Sequence, residues 1–158
     1  MAGKININYY CRGVSLIEVA IALALLLTAT LGTLSFRYYA SIDTVKAQRE
    51  IEASRLASLL CESWIGNAGN TAFDPVALLG TDLTITTTIS GEAVPSGFTE
   101  LEKYEITVDG VEYLATLSWE QTTPEIRTLN VILSWPPQGK VTDENDYKQY
   151  YLTTCVMI

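Results

Sequence analysis

The sequence predicts an α+β protein: one long N-terminal helix whose first half is membrane-spanning and whose second half packs on a small antiparallel sheet of about four strands. Three observations predict it. Residues 14–36 form an apolar run with a single charge inside it, Glu18, and no other until Arg37. No proline precedes Pro75, and apolar residues recur at helical spacing as far as Trp64. Beyond that point, short stretches rich in Thr, Val, Ile and Tyr alternate apolar with polar positions between turn signals, the pattern of half-buried strands laid on a helix.

Residues 1–13 carry Lys4 and Arg12 around polar Asn6, Asn8, Tyr9 and Tyr10, with no separate apolar core or small-residue cleavage motif, so they make a poor secretory signal. Basic residues on this side and an acidic body on the other give an N-in, C-out orientation by the positive-inside rule. At about 1.5 Å per residue, residues 14–36 are long enough to cross the ~30 Å hydrocarbon core of a bilayer. A lone carboxylate there costs on the order of 2.5 to 3.5 kcal/mol, which makes Glu18 a functional residue by default and calls for a counter-charge.

The helix should continue to about Trp64, with Ile42, Val45, Ala53, Leu56, Leu60 and Trp64 as the stripe that seats a head. Asp43, Lys46, Arg49, Glu50, Glu52 and Arg55 are read as the opposite, polar face, where Lys46 with Glu50 and Glu52 with Arg55 have pair spacing. Gly66, Asn67 and Gly69 end it. A helix of about 50 residues is roughly 75 Å long, a shaft rather than an ordinary globular helix. Gly32 is either a loosening point or a small residue at a helix contact.

Residues 67–80 read as a connection with Asp74-Pro75 at its centre and a short helical turn through residues 76–79. Residues 82–90 alternate Leu83, Ile85, Thr87 and Ile89 with polar partners, and residues 91–97 form a turn region around Pro95. Residues 104–108 and 111–119 flank Asp109-Gly110, a favoured two-residue hairpin turn. Residues 126–135 alternate again and stop at Pro136-Pro137. A polar turn over residues 138–146 then leads into a last strand over residues 147–158. Trp64, Trp119 and Trp135 each end an apolar-periodic element and are read as core between helix and sheet. Tyr9 and Tyr10, and Tyr38 and Tyr39, sit at the two ends of the apolar run as interfacial aromatics, with subunit packing as the alternative for the second pair.

Composition narrows the function classes. The chain has 10 Lys plus Arg against 18 Asp plus Glu, a net charge of −8, so direct binding to a phosphate backbone is not expected. It contains no His, which removes the usual general base and the commonest metal ligand. No phosphate loop or nucleophile elbow is present, so neither an enzyme nor a cofactor is predicted. The 3 cysteines are Cys11, Cys61 and Cys155. Cys61 and Cys155 would lie on an oxidising side of the membrane and are candidates for a bridge, the alternative being two small apolar side chains. Asp143, Glu144 and Asp146 are a candidate oxygen-ligand set for calcium, although they lack an EF-hand pattern and read equally as a solvated acidic turn.

The stretch Arg12-Gly13-Val14-Ser15-Leu16-Ile17-Glu18, followed by the uninterrupted apolar helix, resembles the N-terminal signature of type IV pilins and type II secretion pseudopilins. The resemblance implies the pilin fold and an assignment of residues 1–13 as leader, 14–36 as membrane and assembly helix, and 37–158 as head. It implies cleavage by a prepilin peptidase between Gly13 and Val14 and methylation of the new amine of Val14. It also implies that Glu18, the fifth residue after the cut, pairs with the N-terminal amine of a neighbouring subunit. Val14 stands where Phe or Met is frequent, and Ser15 where Thr is.

The close of the chain, Ser134-Trp135-Pro136, a turn and a Thr-rich strand, resembles V-type minor pilins and I-type minor pseudopilins over about the last thirty residues. The implied partners are the peptidase, other pilin or pseudopilin subunits and the bacterial inner membrane, with a filament that ends in the periplasm or at the cell surface. The rival reading is a single-pass envelope protein with a small β-rich binding head and no filament.

Overall fold

The computed structural model describes residues 15–81, 83–137 and 146–158. Helix α1 spans Leu16–Gly66 and a short α2 spans Pro75–Leu79. Five strands follow: β1 Thr84–Thr87, β2 Thr99–Val108, β3 Val111–Thr123, β4 Ile126–Trp135 and β5 Lys148–Met157. The layout is α+β, as the sequence predicts. Contacts divide the chain between Asp43 and Thr44 into two compact units.

In the first unit α1 exposes apolar side chains on every side, from Leu16 at 87% to Phe36 at 72% of their surface. It is long and apolar enough to cross a membrane. The helix is unbroken through Gly32, where an added Cβ would meet nothing within 4 Å beyond the helix's own neighbouring backbone.

In the second unit the strands form one antiparallel meander in the order β1-β2-β3-β4-β5. The sheet has five strands, not about four. The Thr-rich stretch before the turn region pairs with β2 as a full strand, Ile85 opposite Ile106. That strand ends at Thr87, so Ile89, the last position of the predicted alternation, lies beyond it and is 96% exposed. Strand β2 also starts at Thr99, ahead of the apolar alternation, because β3 supplies a partner down to Trp119 opposite Thr99. A bulge between Glu100 and Glu102 resets the register there and leaves Leu101 packed against the core. The β2–β3 hairpin closes at Asp109 and Gly110, both at positive φ, as a two-residue primed turn requires.

The core is the layer between α1 and the sheet. Ala53, Leu56, Ala57, Leu60, Cys61 and Trp64 are buried on the helix. Opposite them lie the inward residues of the strands, including Ile106, Tyr113, Leu117, Val131, Leu133 and Trp135. Ala53 and Ala57 have no exposed surface in this layer. Trp119 is partly buried at the margin of the same core.

The seat is not purely apolar, and this corrects the polar-face assignment of two residues. Glu52 is half-buried and accepts a hydrogen bond from the Tyr113 hydroxyl at 2.9 Å. Arg49, also half-buried, donates to the Pro136 carbonyl at 3.2 Å. Both lie beside the apolar stripe, and their length lets them reach over its edge to the sheet.

At the end of α1 the chain folds back on itself. The Gly69 amide donates to the Trp64 carbonyl at 3.0 Å, and the Trp64 indole donates to the Asn70 carbonyl at 2.8 Å. Phe73 stacks on Trp64 with ring centroids 5.5 Å apart. Gly69 has φ +61, and a Cβ there would come within 2.4 Å of Val156 Cγ1, so both backbone and space select glycine. Arg127 donates to the Gly69 carbonyl and lies 4.8 Å from the centre of the Trp119 ring, tying the turn to β4.

Two predictions follow from this packing. Trp64→Ala removes the largest fully buried side chain and should lower stability by about 3 to 5 kcal/mol, read from urea unfolding of the full chain in detergent. The second concerns alkaline pH. Burial, then the charges of Asp74 and Glu102, push the Tyr104 phenol up to about 12. Burial and the hydrogen bond and charge of Glu52 push Tyr113 up as well. Unfolded tyrosines lose their protons near about pH 10 while these two keep theirs, so the native state binds more protons in that window. The contribution of these two phenols to stability should therefore be constant below about pH 10 and be lost as pH rises toward about 12. Tyr104→Phe should reduce that loss, measured as the shift in urea midpoint with pH.

Candidate functional site

The apolar half of α1 presents a single ionisable group, and its first turn shows how the chain accommodates it. The amides of Glu18 and Val19 donate to the Ser15 carbonyl at 2.9 and 3.2 Å. Ser15 thus precedes the first helical residue and Glu18 is the third, inside the first turn. That end of a helix carries the positive pole of the peptide dipoles, worth about 0.3 to 1 kcal/mol to a carboxylate. The spacing Ser15-x-x-Glu18 is also that of a capping box, a local signal that the sequence reading did not use. Glu18 is exposed, as are its neighbours Ile17, Val19 and Ile21.

The three threonine hydroxyls of this half are satisfied within the helix. Thr28 donates to the Leu25 carbonyl at 2.9 Å, Thr30 to Leu27 at 2.9 Å and Thr33 to Ala29 at 2.5 Å. Back-bonded hydroxyls of this kind need no water, which suits an apolar surrounding. Tyr38 and Tyr39 follow, edge to face at 5.7 Å and each 66% exposed.

Gly13 and Val14, the two sides of the predicted cut, lie outside the described residues, as do Lys4, Tyr9, Tyr10, Cys11 and Arg12. So do Asp143 and Glu144 of the calcium candidate. Asp146 is described, and among the described residues no group of three His, Cys, Asp or Glu side chains is placed to hold a metal ion.

The structure does not bring Cys61 and Cys155 together, and both are free. Cys61 is buried in the core between helix and sheet. Strand β5 alternates, so Tyr150, Leu152 and Val156 face that core while Cys155 belongs to the exposed set, 3.7 Å from the Thr128 hydroxyl. A sheet lies between the two thiols. The period of two along a strand decides this, and a shift of one residue would have reversed it.

A thiol-labelling experiment checks the arrangement. In a Cys11→Ser chain, Cys155 should react with maleimide under native conditions. Cys61, whose thiol is pushed up in pKa by burial and then by the nearby Glu62 charge, should react only after denaturation.

No family model, curated protein or solved structure matches this chain.

Proposed function

We propose that this chain is a structural subunit, of the minor kind, of a type IV pilus or type II secretion pseudopilus. On this reading a prepilin peptidase cuts between Gly13 and Val14 and methylates the amine of Val14. Residues 14–36 then hold the product in the bacterial inner membrane with its N-terminus cytoplasmic and its head outside. Assembly with other pilin or pseudopilin subunits proceeds through α1, and the filament extends into the periplasm or to the cell surface.

The observation that carries the reading is one carboxylate, Glu18, near the start of a half-helix, residues 16–36, whose exposed large side chains are otherwise apolar. A helix of this surface either sits in lipid or packs on other helices. In both places an ionised side chain needs a partner, and the amine freed at Val14 of a neighbour supplies one only in the correct register. Breaking such a buried pair costs about 3 to 5 kcal/mol, enough to decide which register assembles. The α+β head, a helix seated on an antiparallel meander, is a layout this reading can use.

A second reading has its own observation. The capping-box spacing of Ser15 and Glu18 gives the carboxylate a local role without any neighbour, as in a single-pass envelope protein with a β-rich head and no filament.

Two measurements separate them. The intact mass of the membrane form should equal the chain from Val14 plus one methyl group; a mass that retains residues 1–13 overturns the processing. Glu18→Ala should insert as well as the parent or better, while its incorporation into filaments falls more than about a hundredfold, the equivalent of the lost pair. Normal incorporation would leave only the capping role.

A further inference from the structure

The outer face of the sheet carries a cleft that the assembly reading does not use. It has a volume of about 530 Å³ and is lined by Glu92, Glu105, Glu112, Leu114, Ser134 and Tyr147, among others. Glu105, Leu114 and Ser134 form one row across β2, β3 and β4. Glu112 lies two residues from Leu114 on the same face of β3. Glu92 comes from the segment between β1 and β2, which crosses this face.

That segment is held as a wall. The Thr88 amide donates to the Lys103 carbonyl at 3.0 Å, and the Thr116 hydroxyl donates to the Glu92 carbonyl at 3.2 Å. Gly91 passes so close that a Cβ there would lie 2.8 Å from the Thr116 hydroxyl.

Two independent features mark the cleft as a binding site. Three carboxylates line it with no basic side chain among the described lining residues, and the nearby Lys103 is paired with Glu100 at 3.7 Å. Ser134 is 1% exposed, and its hydroxyl is buried without any hydrogen-bond partner. A buried hydroxyl left unpaired costs about 1 to 3 kcal/mol, so a donor that reaches it gains what the free head lacks.

We propose that this cleft receives the side chain of an arginine from a partner protein. Among the described residues no three acids converge closely enough for a metal ion, whose oxygen ligands must meet at about 2.3 to 2.6 Å. A guanidinium is broad and planar, with five N–H donors, and can serve separated carboxylates and the Ser134 oxygen together. Leu114 and Tyr147 line the same cleft and supply apolar and aromatic surface for its methylene stem and plane. The inference stands whether or not the chain assembles into filaments.

The test uses the full chain in detergent and a blocked alanine pentapeptide with one central arginine. The arginine peptide should bind at least about tenfold tighter than its citrulline twin, and more weakly as NaCl rises from about 0.05 to 0.5 M. Glu105→Gln/Glu112→Gln should raise the Kd about fivefold or more, and Ser134→Ala about threefold, while Glu62→Gln on the exposed side of α1 leaves it unchanged. Equal binding of the arginine and citrulline peptides overturns the proposal. So does an unchanged Kd in either cleft variant, or tighter binding of calcium or spermidine than of the peptide.

Discussion

The head depends on one contact: the stripe from Ala53 to Trp64 of α1 pressed on the inward face of a five-stranded meander. Neither layer can bury its apolar side alone. A two-stranded hairpin is marginal in water and an isolated helix hardly better, whereas the two layers together remove both apolar faces from solvent. Leu56, Leu60 and Trp64 fill the space between them, and Trp64 carries the contact into the following turn through Phe73 and Asn70.

Apolar burial alone does not fix how the helix lies along the sheet, because it has no direction. Here polar bonds at the margin supply it: Glu52 with Tyr113, Arg49 with the Pro136 carbonyl and Arg127 with the Gly69 carbonyl. Each joins a group near the helix or its end to a named strand or strand terminus. Arg127 acts at one end of the contact and Arg49 at the other, so a slide of one turn would break both. The same logic, a directional bond added to non-directional burial, underlies the role proposed for Glu18 in the apolar half of the helix, where packing among aliphatic side chains is equally indifferent to register.

The two faces of the sheet are therefore differently employed. The inner face is spent on α1. The outer face keeps polar residues in ordered rows: Asn130 donates to Ser118 at 3.2 Å and accepts from Thr153 at 2.9 Å, while Ser134 alone among the described buried side-chain polar atoms is left unpaired. A face of this kind adds little to stability and is free to carry specificity. The acidic cleft beside Ser134 lies there, and the proposed guest is a cation because the described lining residues supply only negative charge.

The sequence by itself determined the long helix, its apolar first half, its stop near Gly66, the Asp109-Gly110 hairpin and most strand positions. These rest on local period, proline placement and turn chemistry, which a chain carries without reference to its partners. Tertiary structure alone decided the rest. The early start of β2 needed β3 beside it, and the inward reach of Arg49 and Glu52 needed a sheet within range of their side chains. The separation of Cys61 from Cys155 turned on the facing of β5, which pairing with β4 fixes and spacing along the chain does not. The cleft was hidden for the same reason: Glu92, Glu105, Glu112 and Ser134 are scattered in sequence and become neighbours only when the meander sets its rows and the β1–β2 segment crosses them.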